Sequence, residues 1–304
     1  MLDRINIKTF KPKNPFKQKD KDKKEAKWVN KSILLFLVPS LIGVTIFTLI
    51  PFLDVIIRSF QNEVTRDFVF LDNYIDVFNN DAFKLAGINT IKFVLVCIPL
   101  LLGISLLLAV LINDFFKASE KLTTAFLVPM AIPIASVVLV WNIVFHETGL
   151  LNGFLVSLEV SGVDWMNTGY AFWILVFTYI WKNVGYTIIL WMAGLSCIPK
   201  EIYEAARVDG ASRLQSFRRI TFPMLKPTVY TITVISLLNS FKVFREAYLI
   251  AGSYPNESMY MLQHIFNNWF RDLAFGKISA GSVVMSLIIF LLIVVLQKSW
   301  ERES

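Results

Sequence analysis

Cysteine and histidine are nearly absent, with two of each in 304 residues. Cys97 falls inside an apolar run and Cys197 at the edge of a polar segment. Neither has metal-ligand spacing to the other or to His146 and His264, which argues against a disulfide framework or a metal site. Charge is scarce too, at 17% of residues against 55% hydrophobic, a balance that excludes an ordinary soluble fold and predicts a multi-pass membrane protein. There is no GxxxxGK[ST] phosphate loop, so the chain is not expected to hydrolyse ATP itself. No Ser-His-Asp, paired-carboxylate or metal-ligand pattern recurs on one predicted face, and an enzyme reading has no site to stand on. The net charge of +7 could suggest nucleic acid. Its excess, however, is concentrated before residue 32, beside the first apolar run, where it reads as a topology signal and not as a nucleic-acid surface.

What the chain does have is apolar length. Six runs approach the roughly 20 residues needed to cross a bilayer, near 33–59, 85–112, 122–145, 170–195, 228–251 and 279–296. The expected fold is all-α and polytopic, with six transmembrane helices. A lysine-rich arm covers 1–31, the spanning domain 32–298 and a short tail 299–304. The first run follows a polar arm and is long enough to span, so it is expected to stay as an anchor and not to be cleaved as a signal peptide. Pro39, Pro99, Pro129 and Pro133 interrupt the runs, which predicts kinked helices around a central path.

Basic residues orient these spans. Arg4 and the lysines from Lys8 to Lys31, then Lys117 and Lys121, then Lys200, Arg207, Arg213, Arg218, Arg219 and Lys226 fall in alternate connections. The loop 146–169 has no base, and 61–84 carries Glu63, Asp67, Asp72, Asp76 and Asp81 against Arg66 and Lys84. The positive-inside rule places both termini and the segment 196–227 in the cytoplasm. The opposite loop 252–278 has a turn at 252–256 and then Leu262, Ile265, Phe266, Trp269 and Phe270 on one helical face. Its helix is expected at the outer surface, as an interfacial anchor or as a contact for substrate or a binding protein.

The segment 196–227, SCIPKEIYEAARVDGASRLQSFRRITFPMLKP, is the polar stretch between two long apolar runs. Pro199 suits a helix start, and Gly210 suits a left-handed cap where that helix stops. Ser212 with Gln215 fits a capping box opening a second helix. Leu214, Phe217 and Ile220 form its apolar stripe opposite Arg213, Arg218 and Arg219, until Pro223 and Pro227 end the pattern. By composition alone this is equally an amphipathic connector resting on lipid headgroups. A DNA-binding helix-turn-helix is excluded because both ends are tied within a few residues to apolar spans.

The spelling carries more. Glu204-Ala205-Ala206, then Gly210, Ile220 and Phe222-Pro223, resembles the EAA loop of the permease subunits of binding-protein-dependent ABC importers, with Phe222 where that pattern usually has Leu. The resemblance implies a coupling helix seated on a cytoplasmic ATPase. It assigns Glu204, Ala205, Ala206, Asp209, Gly210, Ile220 and Pro223 to that contact. Small Ala205 and Ala206 suit close approach, Glu204 can meet a basic group, and Gly210 permits a sharp turn.

Polar groups inside spans mark candidate paths. The fourth run holds Tyr179, Trp181, Lys182, Asn183, Tyr186 and Trp191; the fifth holds Ser236, Asn239, Ser240, Lys242, Arg245 and Glu246. Residue by residue these also fit interhelical hydrogen bonds and belt aromatics, with Lys242 and Glu246 as an i, i+4 pair. Together, flat rings with amides and hydroxyls suit a neutral polyhydroxylated ligand. LWMAGLSCIPKEIYEAARVDGAS, FRRITFPMLKP and LLNSFKVFREAYLIAG are similar to the sugar branch of that permease family. The likeness implies Asn183, Tyr186, Ser236, Asn239 and Ser240 along the substrate path of an oligosaccharide importer in a bacterial plasma membrane. It also implies a heterodimer with a second permease, a dimer of cytoplasmic ATPase subunits that hold ATP and Mg, an extracytoplasmic sugar-binding protein, and no cofactor on this chain. The rival readings are a permease for glycerol phosphate or a polyamine, a secondary transporter, for which mid-span acids are nearly lacking, and a membrane anchor without transport.

Overall fold

The computed structural model describes residues 37–115 and 120–301. The arm 1–31, Lys117, the side chains of Lys121 and Lys242, and residues 302–304 of the tail lie outside what is described. The chain divides into two units, residues 1–57 and 58–304. The described part of the first belongs to one 22-residue apolar helix, α1 (Leu37–Arg58), whose last residue is counted with the second. Its middle widens into a π turn over Thr45–Leu49, closed by the Ile50 amide on the Thr45 carbonyl. Pro51 follows at once; its ring crowds the carbonyl four residues back and gives it no amide, and a wider turn accommodates both effects.

The second unit comprises α2 (Asp72–Asn79), α3 (Asp81–Phe115), α4 (Glu120–Ala131), α5 (Ile134–Phe145), α6 (Leu150–Ser157), α7 (Tyr170–Ser196), α8 (Lys200–Val208), α9 (Arg213–Met224), α10 (Lys226–Ser240), α11 (Phe244–Ala251), α12 (Leu262–Arg271) and α13 (Phe275–Glu301). A 3-10 turn, Phe241–Val243, joins α10 to α11. Among the described residues the remaining pairing is an isolated bridge between Gln61 and Phe68.

Among the described residues five helices are long and apolar enough to span, or up to six if the bent pair Arg213–Met224 and Lys226–Leu249 counts as one. The expected spans need two adjustments. The run 122–145 is not one helix: it breaks between α4 and α5 at Pro133, and the qualifying stretch there is Ile134–Ser157. Pro99 and Pro129, by contrast, lie inside continuous helices. The fifth run is reached through a 61° bend after α9.

α7 is the hub, packed against α3, α4 and α10. Phe93, Cys97 and Leu101 of α3 meet Leu175, Ile188 and Trp191 of α7 and Ile232 of α10. Apolar contact alone distinguishes little from lipid, so close approach and buried polar bonds decide the packing. Trp191 Nε1 donates to Ser105 Oγ at 2.8 Å, and Tyr179 Oη donates to the Ser236 carbonyl at 2.7 Å. Thr90, Thr178 and Thr187 return their hydroxyls to carbonyls one turn back, which lets hydroxyls sit in apolar surroundings. Gly185 is where α4 crosses α7: a Cβ there would overlap the Phe126 carbonyl.

The outer helix α12 uses its apolar face on the protein. Ile265 and Trp269 are buried, Trp269 stacks on Phe83 with centroids 6.0 Å apart, and α12 packs on α3 and α13. Only Phe270 of the expected stripe is exposed. The face read as an interfacial anchor is therefore largely covered by this chain.

Candidate functional site

The 196–227 segment folds as its local chemistry predicts. α8 starts after Pro199 and ends in a Schellman motif: the Ala211 amide reaches the Ala206 carbonyl at 2.9 Å and the Gly210 amide the Arg207 carbonyl at 3.1 Å. Gly210 takes φ +77°, and a Cβ there would meet nothing within 4 Å, so the backbone angle alone calls for glycine. Ser212 and Gln215 form the capping box, with the Ser212 amide on Gln215 Oε1 at 2.8 Å and the Gln215 amide on Ser212 Oγ at 3.3 Å.

α9 ends at Met224, between the two prolines expected to close it; what the sequence did not suggest is that it widens into a π turn over Phe217–Thr221, two residues ahead of Pro223. It then bends into α10 at fully buried Leu225. The same device, a π turn ending two residues ahead of a proline, occurs in α1.

The loop presents itself outward. α8 has no buried residue. Glu204, Ala205, Asp209 and Gly210 are exposed, Ala206 and Ile220 half-buried and Pro223 exposed. Val208 and Leu214 are 87% and 65% exposed, apolar side chains left uncovered by this chain. Arg213, Arg218 and Arg219 are exposed as well and give the second helix its positive charge. The combination is a small, exposed helix with apolar and acidic groups on it, backed by a basic second helix.

The polar side chains of α7 and α10 do come together. On α7, Tyr179, Lys182, Asn183 and Tyr186 follow i, i+3, i+4, i+7 spacing and share one face. Asn183 Nδ2 donates to the Tyr179 carbonyl at 2.7 Å, and Asn239 Nδ2 donates to Tyr186 Oη at 3.3 Å. Asn183, Tyr186 and Asn239 are half-buried. Ser236 is fully buried with its hydroxyl unpartnered, and Ser240 is buried with its hydroxyl on the Leu237 carbonyl at 2.6 Å. The cleft beside Ser240, shared with Thr90, Phe93, Phe244 and Gln263, measures about 10 Å³, room for roughly one water. A larger hollow of about 280 Å³ is aromatic, lined by Phe145, Trp165, Tyr170, Trp173 and Phe177. Trp191, named with the polar group from sequence, belongs to the core through Ser105.

Glu246 has a partner that the sequence reading did not name. Its Oε1 accepts from Lys182 Nζ at 2.7 Å, across from α11 to α7, with side chains only 7% and 18% exposed. The i, i+4 partner anticipated for it, Lys242, has a side chain outside the described residues. The pairing was not visible in sequence because it joins positions 64 residues apart. Tyr203, which sequence reasoning passed over, also makes a tertiary bond: its hydroxyl lies 2.9 Å from Thr221 Oγ1. Among the described residues no group of three metal-ligating side chains forms.

Comparison with known proteins adds the ancestry. The chain is 32% identical over 270 residues to the arabinooligosaccharides transport system permease protein AraP of Bacillus subtilis, covering 86% of this chain and 85% of AraP. It is 29% identical over 265 residues to the trehalose/maltose transport system permease protein MalF of Thermococcus litoralis, covering 85% and 88%. Its fold matches a chain from the crystal structure of a bacterial ABC transporter that imports alginate, with a TM-score of 0.79 at 22% identity, covering 92% of this chain and 99% of that one. Residues 100–300 match the family of binding-protein-dependent transport system inner membrane components. With two thirds of its length inside that match and its EAA motif folded and exposed, the chain belongs to this family of multi-pass transport subunits, which are permeases and not themselves enzymes.

Proposed function

We propose that the chain is one of two different permease subunits of an ATP-driven carbohydrate importer of the oligosaccharide class. The carrying observation is the α8–α9 unit, an exposed helix, a left-handed glycine turn and a capped second helix leading straight into α10. Glu204, Ala205, Ala206, Asp209, Gly210, Ile220 and Pro223 make it the seat of a cytoplasmic ATPase dimer, which carries ATP and Mg. The second permease, likewise, supplies the other wall of the path. Both termini face the cytoplasm, and an extracytoplasmic binding protein delivers the sugar on the opposite side. Relatives named for arabinooligosaccharides and for trehalose/maltose support the cargo class.

The physical mechanism is alternating access. ATP closes the ATPase pair, α8 moves with it, and the movement passes through the bend at Leu225 into α10. Asn183, Tyr186 and Asn239 then contact the passing sugar, the ring against its apolar faces and the amides on its hydroxyl groups, and Ser236 and Ser240, buried in this conformation, join them as the path opens. Reconstituted with its partners in vesicles, the transporter is expected to import labelled neutral oligosaccharides only when the binding protein and ATP are both present. Import independent of the binding protein would overturn the assignment. Tyr186→Ala is expected to raise the apparent sugar KM by up to about ten-fold, as loss of one stacking ring would, while the ATPase still co-purifies.

A further inference from the structure

The geometry points to Tyr203 and Thr221 as the link that transmits coupling-helix movement into the membrane, a proposal that rests on the coupling role given to α8. α8 contributes no buried residue, so little packing holds it in place. A helix of nine residues is marginal in water without tertiary support. Of its two connections, the one before it is anchored at Ile198, buried in the main core cluster, and the one after it is the exposed Gly210 turn. A push on such an element would swing it about its ends and leave the membrane helices where they were.

Tyr203 prevents this. It lies one residue before the Glu204-Ala205-Ala206 stretch, half-buried against the main core cluster. Its hydroxyl crosses to Thr221 Oγ1 at 2.9 Å. Thr221 is only 5% exposed and closes the π turn of α9, four residues ahead of Leu225, the fully buried residue at which the chain bends by 61° into α10. A load applied at Glu204 therefore reaches the foot of α10 through one aromatic ring and one hydrogen bond, bypassing the Gly210 turn. Neither residue touches cargo or nucleotide; both are positioning residues.

The test uses hydrogen exchange on the purified full complex, with and without a non-hydrolysable ATP analogue. In the parent protein the analogue is expected to change exchange both at 200–208 and at 221–240. In Tyr203→Phe, which keeps the ring and loses the hydroxyl, the response at 200–208 remains and that at 221–240 falls several-fold. Loss of one hydrogen bond raises the undocked population by roughly ten-fold at most, so 200–208 also exchanges faster by up to that factor without nucleotide. Thr221→Val behaves the same way, the double variant is no worse than either single one, and Thr221→Ser keeps the parent response. An undiminished response at 221–240 in Tyr203→Phe overturns the link. Absence of any response at 200–208 in the parent would instead remove the coupling role on which it rests.

Discussion

Glu246 is held with one oxygen on Lys182 and, among the described residues, the other without a partner, at a position 5% exposed. Charges so placed are expensive to leave alone. Glu246→Gln or Lys182→Met is expected to destabilise the folded chain by about 3–5 kcal/mol, whereas replacing both with apolar residues of similar size loses far less. Thermal melts in detergent of the two single variants and the double one would check this. His264 has a different sensitivity. Burial pushes its pKa down from 6.5 to about 4, since the neutral ring is what fits between Tyr260 and Phe244. The unfolded chain takes up a proton first. The stability contributed is complete above pH 6.5 and lost as pH falls towards 4. The melting temperature is expected to drop across that window, and His264→Gln to flatten the drop.

At the scale of elements, two contacts are set by glycine for different reasons. Gly210→Val forces a β-branched residue into φ +77° and is expected to cost about 1–2 kcal/mol locally and to abolish transport while the chain still reaches the membrane. Gly185→Leu collides with the α4 backbone at Phe126 and is expected to separate α4 from α7, read as lost protein yield or a lowered melt. The first was legible in sequence and the second was not. Gly210, the Ser212–Gln215 box and the start of α8 after Pro199 are all decided within a few residues. By contrast, Gly185, the Lys182–Glu246 pair and the Tyr203–Thr221 bond depend on which helices meet, and one sequence without relatives does not say. Proline was legible only as an interruption. Pro133 breaks a helix, Pro99 and Pro129 sit within helices, and Pro51 and Pro223 follow π turns, because the outcome depends on what receives the freed carbonyl.

For the whole molecule, composition and run length pointed to an all-helical spanning protein, and the loop motif pointed to the family that the comparisons show. Span boundaries were less secure: the third run parts at Pro133 and the fifth enters through a bend. The outer helix α12 was legible as amphipathic, yet its cover proved to be α3 and α13. Besides the apolar outer faces of its spans, the described chain leaves uncovered the α8–α9 unit and a half-buried polar face at Asn183, Tyr186 and Asn239. Both are surfaces that a multi-subunit importer would complete. The most direct measurement is purification of the tagged chain in mild detergent, with identification of what accompanies it and assay of its ATP hydrolysis. Recovery of a second permease and an active ATPase, both retained in Tyr186→Ala and the ATPase lost when Glu204 and Gly210 are replaced by bulky residues, is the predicted result. A stable chain that purifies alone, with no ATPase under any condition, would contradict the account.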